Sequence, residues 1–290
     1  MRVGAEAMNQ PGTLPGAREF SFSIEDFRAI RQLIHRHAGI LLADGKRDMV
    51  YSRLARRLRA LRFTDFSQYL RHLRSEASEW QAFVNALTTN LTAFFREPHH
   101  FQLLREFART LERRPIRIWC AACSTGEEAY SIAMTLADLF GASAPVQILA
   151  TDIDTQVLEQ AKRGVYALDR AGELPESFLN RFFLRGRGDS AGLMRIKPEL
   201  RASISFRQLN LLQDAWPLRG PFDAIFCRNV MIYFDRQTQY RVLRKFPPLL
   251  HADSLLFAGH AESFQHATDL FRPQGRTVYA LTSRRLCATA

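Results

Sequence analysis

Apolar residues in the first third of the chain recur at helical spacing. Phe27, Ile30 and Ile34 fall on one stripe, and Val50, Leu54, Leu58 and Leu61 on another. Phe66, Tyr69, Leu70 and Leu73, then Trp80, Phe83, Val84 and Leu87, continue the same period. Ser23 with Asp26 three residues on is a capping-box signature for the first helix, and Gly39 supplies its stop. Residues 19–90 are therefore expected to form a small all-helical domain. Ahead of it, residues 1–18 carry Pro11, Gly12, Pro15 and Gly16 and read as a flexible tail.

Beyond residue 90 the pattern changes. Residues 91–115 read as a linker and a helix opened by Pro98. Then short apolar runs, "IRIWC", "VQILATD", "ISFRQLN", "FDAIFCRN", "SLLFAGH" and "TVYALTS", alternate with helical stretches starting at Glu127, Thr155 and Arg236. This alternation predicts a Rossmann-like α/β domain over 116–290, built on a parallel sheet covered by helices on both faces. Between Tyr166 and Ser203, "FFLRGRGDSAGLMRIKPEL" has glycine-marked turns at Gly186, Gly188 and Gly192 between short apolar segments, which predicts a small β-hairpin insertion at about 167–203.

In doubly wound sheets the ligand sits at the carboxyl ends of the strands. Those ends hold Ser124, Thr125, Gly126 and Glu127; Asp152; Asn210; Arg228 and Asn229; and His260. Asp152 stands where nucleoside-binding folds place an acid that accepts from ribose hydroxyls. The first loop lacks G-x-G-x-x-G, and the helix after it begins with Glu127 and Glu128, whose charge would repel a pyrophosphate. A dinucleotide is disfavoured; an adenosine with a cationic end, as in S-adenosylmethionine, suits the acids. The same loop holds Cys120 and Cys123 in C-x-x-C spacing. A redox pair would place its first cysteine exposed at a helix N-terminus, whereas here the helix starts at Glu127 beside acids. The pair is expected to be structural.

Composition narrows the class. The chain has 290 residues, 47% hydrophobic and 24% charged, the balance of an ordinary globular protein. Four cysteines make no disulfide framework, and no stretch approaches the ~20 apolar residues of a membrane span, so a cytoplasmic protein is expected. The net charge is +11, and +6 of it sits in Lys46 to Arg62, "KRDMVYSRLARRLRALR". Arg53, Arg56, Arg57, Arg59 and Arg62 lie off that helix's apolar stripe, an arrangement that expects an acidic partner. His99 and His100 are adjacent on a helix, about 100° apart, a poor geometry for one metal. No zinc-like spacing is present, and no metal is expected.

Five blocks, "LTTNLTAFFREPHHF", "AACSTGEEAYSIA", "ATDIDTQVLEQAKRGVY", "FDAIFCRNVMIYFD" and "LLFAGHAESF", resemble in order the chemoreceptor glutamate methyltransferases of the CheR family, over residues 20 to about 283. The resemblance implies methyl transfer from S-adenosylmethionine to receptor glutamates, with S-adenosylhomocysteine as product. It implies that Asn90, Thr92 and Arg96 contact the cofactor, that Glu127 holds its amino-acid end and Asp152 its ribose. Asn210 and Leu211 would lie along the adenine, with Arg228 and Asn229 closing the site. Each of these positions carries the family's residue; cysteine at 120 and 123 is the minor departure.

A glutamate carboxylate is ionised at neutral pH, so no general base is needed, and Arg96 and Tyr233 are expected to hold and aim it. The partners implied are methyl-accepting chemotaxis receptors. Their acidic methylation helices would meet the α-helical arginines, and a C-terminal receptor peptide would add a strand at the insertion marked by Gly186 and Gly188. No membrane insertion is expected. Two other readings are weighed. A nucleic-acid methyltransferase would need a Pro-Pro-aromatic or Pro-Cys motif, yet the fourth strand ends in "CRNVMIYF". A non-catalytic module would have lost Asp152, Glu127 or Arg96, and all three are present.

Overall fold

The computed structural model describes residues 18–141, 145–172 and 174–282. The tail expected over 1–18 lies almost wholly outside the described residues, as does Cys287. Four helices build the first domain: α1 (Ile24–Ala38), α2 (Arg47–Leu61), α3 (Phe66–Ser75) and α4 (Glu79–Leu87). Ser23 and Asp26 close a reciprocal capping box on α1, and Gly39 ends it in the left-handed conformation. Ile30, Ile34, Val50, Leu54, Leu58, Phe66 and Tyr69 are fully buried together. Burial stabilises each such side chain by about 1.5–3 kcal/mol, which explains why these stripes face one another.

The second domain follows as α5 (His99–Thr110), β1 (Ile116–Cys120), α6 (Glu127–Phe140), β2 (Val146–Asp152), α7 (Thr155–Arg163), β3 (Val165–Ala167), α8 (Glu176–Phe182), β4 (Phe183–Arg185), β5 (Leu193–Ile196), α9 (Pro198–Ala202), β6 (Ile204–Gln208), β7 (Phe222–Phe226), α10 (Arg236–Leu243), β8 (Leu250–Phe257), β9 (Phe271–Gly275) and β10 (Val278–Leu281). The main sheet runs β6-β2-β1-β7-β8-β10-β9. β6, β2, β1, β7 and β8 are parallel. The expectation of an all-parallel sheet is corrected at one edge: β10 is antiparallel to both β8 and β9. The reason is local. Arg276 and Thr277 both have positive φ and form a two-residue hairpin loop, which reverses the chain where a parallel connection would need a long crossover. The strand at 271–275 went unread because "FRPQG" has no apolar alternation.

The insertion is a three-stranded antiparallel sheet, β3-β5-β4, and it begins at Val165, slightly earlier than expected. Between β4 and β5 the chain passes so close to itself that a Cβ on Gly186 would lie 1.9 Å from the Ser190 carbonyl oxygen. Polar bonds lock the two domains together. Asn85 Nδ2 donates to Thr155 Oγ1 at 2.9 Å, the Leu41 amide donates to the Tyr233 carbonyl at 2.9 Å, and Asn210 Nδ2 donates to the His37 carbonyl at 2.7 Å. Among the described residues no helix is long and apolar enough to cross a membrane.

Candidate functional site

The order in which strands are added to the main sheet reverses between the parallel neighbours β1 and β7, with β2 and β6 on one side and β7 and β8 on the other, the position where doubly wound folds open a crevice. A cavity of about 340 Å³ lies there, roofed by the first domain. Its wall includes Asn90, Thr92, Arg96, Asp152, Asn210, Leu211, Arg228, Asn229 and Tyr233, residues far apart in sequence that folding gathers into one site. Glu127 is absent from this wall; its neighbours Ser124 and Glu128 line it instead.

The floor is the turn after β1. Ser124 and Gly126 have positive φ, and a Cβ on Gly126 would meet the Ala161 Cβ at 2.8 Å, so α7 leaves room for glycine only. Asp152, at the end of β2 and nearly buried, accepts from the Ser124 amide at 2.8 Å and the Asp154 amide at 2.9 Å. Each oxygen keeps a further acceptor position, which fits two hydroxyls of a ribose. Burial pushes the Asp152 carboxyl up to about 6, against the opposing backbone hydrogen bonds. Asp154 caps α7 with one oxygen; with the other it accepts from Thr88 Oγ1 at 2.6 Å and Asn90 Nδ2 at 2.8 Å. Asn90 is thereby set at the cavity by an acid that the sequence reading overlooked. An aspartate directly before a helical run was the signal available.

Above the floor, Arg96 is held in a turn whose flanking residues, Phe95 and Glu97, both have positive φ. Arg228, fully buried, braces this turn: its Nη2 donates to the Arg96 carbonyl and lies 3.3 Å from Glu97 Oε2, while Nη1 donates to Glu128 Oε2 at 2.7 Å. Burial works against ionisation of Glu97, but hydrogen bonds from His260 and the charge of Arg228 prevail and hold its carboxyl at about 2. Glu262 accepts from the backbone amides of Gly259, Asn229, Val230 and Met231, and so pins the left-handed turn at Asn229. Glu262 too was missed, although it sits within "LLFAGHAESF". Tyr233 makes no side-chain hydrogen bond among the described residues, which leaves its hydroxyl available at the cavity.

This pairing of an all-helical domain with a nucleoside-type cavity has known counterparts. Residues 25–88 match the CheR methyltransferase all-alpha domain, and residues 90–280 match the CheR methyltransferase SAM binding domain. The chain belongs to the CheR methyltransferase family. It is 56% identical over 259 residues to the chemotaxis protein methyltransferase of Escherichia coli, covering 88% of this chain and 90% of that one. It is 54% identical over 273 residues to chemotaxis protein methyltransferase 2 of Pseudomonas aeruginosa, covering 93% and 98%. S-adenosylmethionine is the cofactor, and the acceptor positions that Asp152 keeps at the cavity fit the hydroxyls of its adenosine.

Other expected features of the CheR chain take definite places. Cys120 and Cys123 are free and fully buried; burial pushes both thiols well up, and nearby acids add to the effect. Cys120 donates to Glu128 Oε1 at 3.2 Å, so the C-x-x-C pair packs and bonds in the reduced state. The arginines of α2 divide. Arg57 pairs with the buried Glu79 and Arg53 donates to the Thr88 carbonyl at 2.6 Å, so both serve the fold. Arg59 pairs with Glu19, whereas Arg56 and Arg62 are exposed without ion pairs among the described residues. Gly186 and Gly188 sit in the β4–β5 connection. His99 and His100 do approach each other, and with Glu97 they bring one possible ligand atom each within 4.8 Å. Arg228 already stands against that carboxylate, so the cluster is an ion-pair network with a cation in place.

Proposed function

We propose that this CheR methyltransferase transfers the methyl group of S-adenosylmethionine to glutamate side chains of chemoreceptor cytoplasmic domains, giving glutamyl methyl esters and S-adenosylhomocysteine. The observation that carries the reading is the pair Arg96 and Tyr233 on the wall shared with Asp152, the Tyr233 hydroxyl free of other bonds. Asp152 would hold the ribose, Asn90 and Thr92 would frame the cofactor beside Arg96, and Glu127 would meet its ammonium. Asn210 and Leu211 would flank the adenine, and Arg228 and Asn229 would hold the walls in place. The cofactor supplies a sulfonium methyl. A bond forms from a glutamate oxygen to that carbon as the carbon–sulfur bond breaks, the electron pair staying on sulfur. Opposite charges cancel in the step, so the site's work is alignment and exclusion of water. Arg96 would anchor the carboxylate by charge and Tyr233 by its hydroxyl.

The relatives' names, chemotaxis protein methyltransferase, support a chemoreceptor substrate. The cationic α2 suits steering of acidic receptor helices, with Arg56, Arg59 and Arg62 outermost and Arg53 and Arg57 adding to the field. The outer strands β3 and β4 of the β3-β5-β4 sheet, the latter leading into the turn that holds Gly186 and Gly188, suit addition of an extended receptor tail.

The test is transfer of labelled methyl to a receptor cytoplasmic fragment. Base-labile label is expected, with kcat reduced about tenfold to a hundredfold in Arg96→Lys and Tyr233→Phe, and with S-adenosylhomocysteine affinity within about twofold of the parent in Tyr233→Phe. Base-stable label, or full activity in both variants, would refute the proposal.

A further inference from the structure

Arg170 lies in the turn Leu168–Ala171 after β3, and so belongs to the inserted β-subdomain, yet its guanidinium reaches the cofactor domain. Its Nη2 bonds the Glu127 carboxylate and the Thr92 carbonyl, the latter at 2.8 Å. Glu127 is 0% exposed, and its other oxygen accepts from Thr125 Oγ1 at 2.5 Å. Thr92, Ser124 and Glu128 touch the cavity while Glu127 does not, so Arg170 and Thr125 close over this carboxylate. A buried carboxylate requires a cation, and among the described residues Arg170 provides the one ion pair Glu127 makes. The two partners differ in freedom: the Arg170 side chain is 42% exposed, so it can swing into water, while Glu127 cannot.

We infer that Arg170 is a removable counter-ion that gates the amino-acid end of the cofactor cavity. It neutralises Glu127 in the ligand-free protein and gives way when the cofactor's ammonium takes that carboxylate. The Arg170 segment is tied to the β-subdomain, where the Leu168 amide donates to the Gly192 carbonyl at 2.8 Å. Cofactor occupancy is therefore transmitted to the β-subdomain. The inference rests on the reading of Glu127 as the holder of the ammonium.

The test is calorimetric titration of the full chain with S-adenosylhomocysteine and with 5′-methylthioadenosine, which lacks the amino-acid end. Arg170→Ala is expected to bind S-adenosylhomocysteine about fivefold or more tightly than the parent, since the competitor is gone, with methylthioadenosine affinity unchanged. Equal or weaker S-adenosylhomocysteine binding, or the same change for both ligands, would overturn the inference. Retained methylthioadenosine binding reports an intact adenosine half; Arg170→Gln serves if the alanine variant does not fold. Glu127→Gln separates the two claims: it should weaken S-adenosylhomocysteine alone, and unchanged affinity there would remove the underlying reading of Glu127. In the parent, amide exchange at residues 168–171 should rise on S-adenosylhomocysteine binding; a fall would count against the gate.

Discussion

Along α2, Arg56 and Arg62 extend into solvent with no ion pair among the described residues, whereas Arg228, just after β7, is wholly enclosed by Glu97, Glu128 and the Arg96 carbonyl. The side chains are identical and the surroundings opposite. On α2 the charge acts through water, where single pairs contribute little to stability but a dense patch steers an acidic partner. Around Arg228 each charge has lost its water and depends on its partners, so the network fixes the Arg96 turn and is intolerant of change. On the proposed reading surface charge would select what arrives, while buried charge sets the geometry of the Arg96 turn.

The sharpest way to break this comparison is Arg228→Met. It strands Glu97 and Glu128 without their cation, and a loss of about 3–5 kcal/mol in urea unfolding is expected. A loss below ~1 kcal/mol would show the network to be dispensable. Next comes pH. On the proposed reading Asp152 would accept the ribose hydroxyls in its ionised form, and burial pushes its carboxyl up to about 6, so S-adenosylhomocysteine affinity should be flat above pH 6. Below it the affinity should fall by up to about tenfold per unit, and Asp152→Asn should remove that dependence. For the ligand-free fold the sign is opposite. A raised carboxyl keeps its proton in the folded chain while the unfolded chain releases it near ~4, so Asp152 subtracts stability as pH climbs from about 4 to 6.

On the exposed side, Arg56→Glu with Arg62→Glu should leave stability within about 0.5 kcal/mol while lowering kcat/KM for a receptor fragment roughly tenfold at low salt. The deficit should shrink as salt screens the patch; one that persists in high salt would mean contact, not steering. The smallest effect belongs to Cys120→Ala with Cys123→Ala, which should keep methyl transfer close to the parent rate. An inactive but folded double variant would restore a chemical role for the thiols.

Much of this was open to a reader of the sequence. The helical stripes around Ile30 and Leu54, the capping box at Ser23, and the strand-end positions of Asp152 and Asn229 depend on local periodicity and punctuation, which a chain displays without folding. Of the ten expected catalytic and cofactor residues nine lie on one cavity wall, seven of them within the motif blocks and Asn210 and Leu211 just after the strand at 204–208. Other features resisted for physical reasons. The hairpin at Arg276 and Thr277 uses residues with no turn preference, held in place by long-range hydrogen bonds to His100 and the Ala258 amide. Arg57 reads as one more surface cation, and only the fold reveals Glu79 buried beside it. Arg170 sits in a segment of no evident pattern, and its reach to Glu127 spans 43 residues.

The sequence by itself determined that there are two domains, that the second binds an adenosine-bearing ligand at its strand ends, and which family the chain resembles, because hydrophobic period, caps and contiguous motifs are properties of neighbours along the chain. The tertiary structure alone decided which charges face water and which face one another. Burial is set by what packs on top, and the partners of Arg228 and Glu127 come from segments, the turn at 95–97, the start of α6 and the turn after β3, that meet only in the folded chain.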